Sequence, residues 1–109
     1  GAVFSTHFTS EAPVTEVSEV FLADYQAKYG KAANAFAALG YDAYMVILDA
    51  IERAGSADSV AIQQALAATD GFVGATGNIT LDENGDAVKS AVINKVEGGK
   101  FVYLTTVEP

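Results

Sequence analysis

Apolar residues recur every three or four positions between Asn34 and Gly55, which is the spacing of a helix with a buried face. Asn34 is a competent N-cap, and Gly55 is the left-handed residue expected just past the last turn. Asp49 and Arg53 stand four residues apart and predict an ion pair on the surface. The core-facing positions of this central helix are expected at Phe36, Leu39, Ala43, Val46, Ile47, Ala50, Ile51 and Ala54. Its polar strip is expected at Asp42, Asp49, Glu52 and Arg53.

One strand and two further helices are predicted around the central helix. Residues Ala2 to Thr9 mix aromatic, β-branched and polar residues and are typical of a strand. Residues Thr15 to Tyr29 have the spacing of an amphipathic helix, and Gly30 is its stop signal. A third helix is expected from about Ser56 or Asp58 to Thr69, because several residues at its start are good N-caps.

The last third of the chain predicts extended structure. Three glycines within Gly71–Gly77 indicate a loop or hinge. Asn84-Gly85 predicts a tight turn with both residues at positive φ, and Gly98-Gly99 predicts a hairpin. The extended segments are 78–81, 91–97 and 100–105. The fold class is therefore α/β, with the order strand, three helices and a small antiparallel β-meander.

Composition excludes several classes of function. The 109 residues suit one small domain, and no apolar run reaches the length of a membrane span. A net charge of −8 with six scattered Lys and Arg leaves no basic stripe for nucleic acid. The chain has no cysteine, so thiolate metal sites and disulfides are excluded.

No catalytic, metal or cofactor site is predicted. His7 is the only histidine, no nucleophile motif accompanies it, and a structural role within the first strand is expected. The acidic run 82–86 resembles a calcium loop, but its glycine falls at position 4 and Ile93 stands where the glutamate is needed. The run is therefore interpreted as a turn.

Two aromatic residues are candidates for contact with a ligand. Phe36 lies in the first turn of the central helix, where a ring beside free N–H groups makes a wall for a small anionic or zwitterionic ligand. Tyr41 lies further along the same helix. A role in the core is the alternative for both residues.

Five short stretches of the sequence resemble one protein family, and their order and spacing agree with that family. They are similar to the C-terminal part of periplasmic branched-chain amino-acid binding proteins of ABC transporters, which have the type I periplasmic-binding-protein fold. Ala32-Ala33 stands where relatives often have proline after the KYG motif. The stretches are DYQAKYG (24–30), AALGYDA (37–43), AIERAGS (50–56), ATGNITLDENGD (75–86) and GGKFVYL (98–104).

The resemblance implies a piece of a longer, two-lobed protein. Residues 1–73 would end the first lobe, and residues 74–109 would cross the hinge and supply the meander of the second lobe. Phe36 matches a position that often carries an apolar or aromatic residue against the ligand side chain, and Tyr41 is a weaker match. Most residues that grip the ligand's amino and carboxylate groups would lie upstream.

The implied function is capture of branched-chain or similar amino acids outside the cytoplasm and delivery to an ABC permease. The parent is expected in the periplasm or extracellular space, and a lipid anchor is compatible with that location. A ligand-sensing domain of a receptor or regulator with the same fold is the alternative. An enzyme is not expected.

A homo-oligomer is also expected. The central helix is apolar on nearly three sides, and the first strand would present open edges without its sheet neighbours. Residues Phe36 to Ala54 are expected to contribute to the interface.

Overall fold

The computed structural model describes all residues, Gly1–Pro109. It confirms the predicted order of one strand, three helices and then antiparallel strands. The strands form two antiparallel three-stranded sheets, in the orders β1-β5-β6 and β2-β3-β4, instead of one meander. The elements are β1 Val3–Thr6, α1 Glu16–Tyr29, α2 Ala35–Ala54, α3 Ser59–Ala67, β2 Phe72–Gly74, β3 Gly77–Leu81, β4 Ala87–Val88, β5 Ala91–Glu97 and β6 Lys100–Val107.

The predicted ends of the central helix α2 are confirmed. The side chain of Asn34 accepts a hydrogen bond from the Ala37 amide at 2.9 Å, and Gly55 has a left-handed φ of 62°. The predicted ion pair is also present, with Arg53 Nε 2.8 Å from Asp49 Oδ2. None of the three helices combines the length and the apolar character that crossing a bilayer requires.

Strand β1 is shorter than predicted, and its expected isolation is wrong. It ends at Thr6 and pairs antiparallel with β5, with Phe4 opposite Asn94. The hairpin of β5 and β6 turns at Gly98 and Gly99, which both have positive φ as expected. Because this hairpin lies against β1, only one edge of β1 remains open.

The prediction of a loop across Gly71–Gly77 is wrong in part. Phe72–Gly74 forms β2, which pairs with β3 so that Gly74 stands opposite Gly77. Ala75 and Thr76 form the two-residue turn between these strands. The glycine-rich stretch is thus a short hairpin.

The acidic run forms the predicted tight turn between β3 and β4. The Asp82 carboxylate accepts hydrogen bonds from the amides of Asn84 and Asp86, both at 2.9 Å. Gly85 has a φ of 86°, whereas Asn84 does not have positive φ, so that part of the prediction is wrong.

Helix α2 is rotated relative to the predicted core face. Its buried residues are Ala38, Asp42, Val46 and Ala50, which recur every four positions. Ile47, predicted in the core, is 46% exposed, and Asp42, predicted in the polar strip, is only 2% exposed. The prediction failed because it counted only apolar residues as candidates for the buried face.

Asp42 is buried because its carboxylate binds the turn between β2 and β3. One oxygen accepts from the Ala75 amide at 2.7 Å, and the other accepts from the Thr76 amide at 2.8 Å and the Thr76 hydroxyl at 2.5 Å. Such hydrogen bonds offset the desolvation of a buried charge. A Cβ atom at Gly74 would lie only 2.7 Å from the carboxylate, so the contact requires glycine there.

Helix α1 holds the same turn from the other side. Thr15 and Ser18 form a capping box at the start of α1. The Thr15 hydroxyl also donates to the Gly74 carbonyl at 2.8 Å, and the Ser18 hydroxyl donates to the Ala75 carbonyl at 2.6 Å. We call these contacts, together with those of Asp42, the turn clamp.

Lys89 connects the turn clamp to the segment between β4 and β5. Its ammonium group donates a hydrogen bond to the Thr76 hydroxyl. Burial lowers the pKa of Lys89, and the charge of nearby Asp42 opposes that shift in part. The desolvation of the ammonium group therefore outweighs its attraction to Asp42.

The buried apolar core lies beside the turn clamp. Its main cluster consists of Phe8, Phe21, Ala33, Ala38 and Ala75, and Tyr41 packs against it. Because Ala75 belongs to both the core and the clamped turn, packing and hydrogen bonding fix the same segment.

Replacement of Asp42 by alanine is expected to lower the free energy of unfolding by about 3 kcal/mol or more, because buried donors on Ala75 and Thr76 lose their acceptor. The control Asp49→Ala removes a carboxylate from an exposed ion pair on the same helix and is expected to cost less than about 1 kcal/mol. Urea denaturation of both variants measures the difference. Equal losses would contradict the assignment of Asp42.

Candidate functional site

Phe36 stands out from the first turn of α2. Its side chain is 84% exposed, so it is not a core residue in this structure. Ala38, two residues later, is fully buried. Since two residues correspond to about 200° around a helix, the ring of Phe36 faces almost directly away from the core. It lines two adjacent clefts, which share Thr6 and Ala35.

The smaller cleft, of about 310 Å³, contains the only histidine. His7 lies just beyond the end of β1 and is exposed, so its predicted role within the strand is wrong. The residues that line this cleft are Ser5, Thr6, His7, Ala35, Phe36, Leu39 and Ala91.

The larger cleft, of about 390 Å³, is lined by four phenylalanines together with small and polar residues, and we call it the Phe36 cleft. The rings of Phe4 and Phe101 meet edge to face with centroids 4.9 Å apart on its wall. No Lys, Arg or His lines it. Its lining residues are Phe4, Thr6, Phe8, Thr9, Ser10, Glu11, Ala33, Asn34, Ala35, Phe36, Asn94 and Phe101.

Two polar residues of the Phe36 cleft were missed by sequence reasoning. Asn94 on β5 is 5% exposed, and its side-chain oxygen has no hydrogen-bond partner. Glu11 accepts a hydrogen bond from the Tyr103 amide at 3.2 Å. The alternation of side chains along β5 indicates that Asn94 is buried, because Asn94 lies on the same face of the strand as Val92 and Val96.

Tyr41 lies on a different side of α2 from Phe36. Five residues separate them, which corresponds to about 140° around the helix. Tyr41 packs against Phe21 with ring centroids 4.9 Å apart. It lines a separate groove of about 430 Å³ whose other residues are Phe21, Asp24, Tyr25, Lys28, Tyr29 and Ala37. The structure therefore does not bring the two candidate residues into one cavity.

The chemistry of the Phe36 cleft suits binding. Its phenylalanine rings offer apolar contact, and Glu11 and Asn94 are among the polar residues that line it. No group of three or more His, Asp or Glu side chains in the structure is placed to hold a metal ion.

Comparison with solved structures gives strong matches over nearly the whole chain. The leucine-binding protein LivK of Thermotoga maritima shares 48% identity and a TM-score of 0.91 over 100% of this chain. The branched-chain amino-acid binding protein LivJ of Streptococcus pneumoniae, in complex with isoleucine, shares 32% identity and a TM-score of 0.86 over 98%. This chain spans 31% and 30% of those two proteins.

A more distant match shows the fold alone. The benzoate-bound solute-binding protein of an ABC transporter from R. palustris shares 22% identity and a TM-score of 0.84, and this chain covers 30% of it. No curated protein sequence matches the chain closely enough to count as a relative.

The family comparison agrees with these structures. Residues 1–100 match the model of a periplasmic binding protein family. Since this match covers most of the chain, and the helices and sheets superpose on leucine- and isoleucine-type members, the chain belongs to the periplasmic binding protein family.

Proposed function

We propose that this chain is part of an extracytoplasmic solute-binding protein that captures amino acids for uptake by an ABC transporter. The observation that carries the proposal is 48% identity over the whole chain to a leucine-binding protein. The similar protein from Streptococcus pneumoniae is a transporter substrate-binding protein, which favours uptake over sensing. The proposed partners of the intact protein are a branched-chain or similar amino acid and a membrane permease.

The proposed location is outside the cytoplasm, in agreement with the periplasmic family. A lipid anchor on the intact protein is compatible with this location. The matched structures are solute-binding proteins, and we propose that the chain likewise binds its solute without changing it.

We propose that residues 1–73 end one lobe and that residues 74–109 cross the hinge into the other. The length of the relatives supports a larger parent, because this chain spans about a third of them. Strands β1 and β5 pair across this boundary, so the two parts share one sheet. Solute would then be held by closure of the lobes.

Phe36 is the proposed ligand contact within this chain. Its exposure beside two clefts leaves the ring free to cover the apolar part of a solute. Tyr41 is proposed only as a residue of its separate groove, since its packing against Phe21 accounts for much of its surface.

In the full-length protein that contains this chain, Phe36→Ala is expected to weaken binding of L-leucine by about 1–3 kcal/mol, because an apolar contact is lost. Titration calorimetry measures the change. The control is Val20→Ala, which removes apolar surface from a residue of α1 that is 60% exposed and lines neither cleft. Unchanged affinity in the Phe36 variant would exclude that residue from the site, and a wild-type protein that binds no branched-chain amino acid would refute the function.

The 109-residue chain alone is proposed to form a homo-oligomer through α2. Tyr44, Ile47 and Leu48 expose apolar surface on this helix, and Val60 adds to it on α3. Such exposed apolar surface is typical of an interface. In the intact protein, upstream elements are the other candidates to cover it.

Light scattering of the chain at tens of micromolar is expected to give the mass of a dimer or a larger assembly. Ile47→Lys should shift it toward the monomer, because a charge would be buried in the interface. Val20→Lys, at a valine of α1 that is 60% exposed, is the control and should leave the mass unchanged. A monodisperse wild-type monomer would contradict the proposed assembly.

A further inference from the structure

The side-chain oxygen of Asn94 is a buried acceptor without a donor. Asn94 lies at an irregularity of β5, where the pairing with β6 shifts between Ile93 and Asn94. It stands opposite Phe4 on β1 and Tyr103 on β6. Buried polar atoms in proteins nearly always have a partner, so an unpaired one calls for an explanation.

The surroundings of Asn94 are those of a binding cleft. Asn94 lines the Phe36 cleft, whose volume of about 390 Å³ lies within the range of small-molecule sites. The oxygen is shielded from solvent in this structure. The terminal torsion of asparagine is broad and nearly two-fold, so rotation of the amide exchanges its oxygen and nitrogen and turns the oxygen toward the cleft. Phe4 on β1, Phe36 on α2 and Phe101 on β6 line the same cleft.

The charges of the cleft indicate which end of a solute Asn94 meets. Glu11 lies at the same cleft, and its carboxylate is bonded to the amide of Tyr103, the residue paired with Asn94. No basic side chain lines the cleft. Glu11 is the only charged side chain that lines the cleft, and a negative charge without a neighbouring cation favours an ammonium group over a carboxylate.

We infer that Asn94 is a specificity-determining residue whose side-chain oxygen accepts a hydrogen bond from an N–H group of the bound solute. The solute class is an amine with an apolar body that packs against Phe36. This inference rests on the proposed function and adds to it a contact made by this part of the chain.

The test compares variants of Asn94 in the full-length protein that contains this chain, with L-leucine as the probe in titration calorimetry. Asn94→Leu keeps the approximate size and removes the acceptor, and it should weaken binding about tenfold or more. Asn94→Asp keeps an acceptor and should bind within about threefold of wild type or more tightly. The control Asn78→Leu, at an exposed residue of β3 outside the cleft, should leave affinity unchanged.

The melting temperature of the ligand-free protein shows whether the hydrogen-bond donor to Asn94 belongs to the solute or to the protein itself. If the solute supplies the donor, Asn94→Leu should leave the melting temperature unchanged or raise it, because an unpaired polar atom is removed. A fall of several degrees, or equal loss of affinity in the leucine and aspartate variants, would overturn the inference. If Asn94→Leu binds L-leucine as tightly as the wild type does, this inference alone is wrong. If the wild-type protein binds no branched-chain amino acid, the proposed function is wrong as well.

Discussion

The buried carboxylate of Asp42 is the contact on which the arrangement of this chain depends. It binds two successive backbone amides and one hydroxyl of the turn between β2 and β3. The hydroxyls of Thr15 and Ser18 bind carbonyls of the same segment from helix α1. Because side chains satisfy polar groups of the turn from two sides, a turn can lie within the interior between two helices.

The orientation of α2 follows from this contact and places the candidate site. With Asp42 and Ala38 facing inward, Phe36 must face outward beside β1. The pairing of β1 with β5 then brings Asn94 to the same cleft, although Phe36 and Asn94 are 58 positions apart in sequence. The structural contact and the proposed binding cleft are therefore coupled through one helix.

The sequence predicted where the helices and strands lie along the chain better than it predicted which of their faces are buried. Asn34 and Gly55 located the ends of α2 because capping is a local interaction. The predicted core face of α2 was wrong because the hydrogen-bond partners of Asp42 lie more than 30 residues away in sequence. Helical periodicity carries no information about contacts at that distance. The glycine-rich stretch was misread for the same reason, since Gly74 serves close approach of Asp42 and not flexibility. Phe36 became a candidate site residue through its place in the first turn of α2 and through a family resemblance, whereas Glu11 and Asn94 come to one cleft only through long-range contacts.

Hydrogen exchange at the amides of Ala75 and Thr76 tests the turn clamp most directly. If Asp42 holds the turn, both amides should exchange as slowly as the paired amides of β5, and Asp42→Ala should remove that protection while the amides in the middle of α2 stay protected. If the amides of Ala75 and Thr76 in the wild-type chain instead exchange as fast as an exposed turn amide, such as that of Glu83, the account is contradicted.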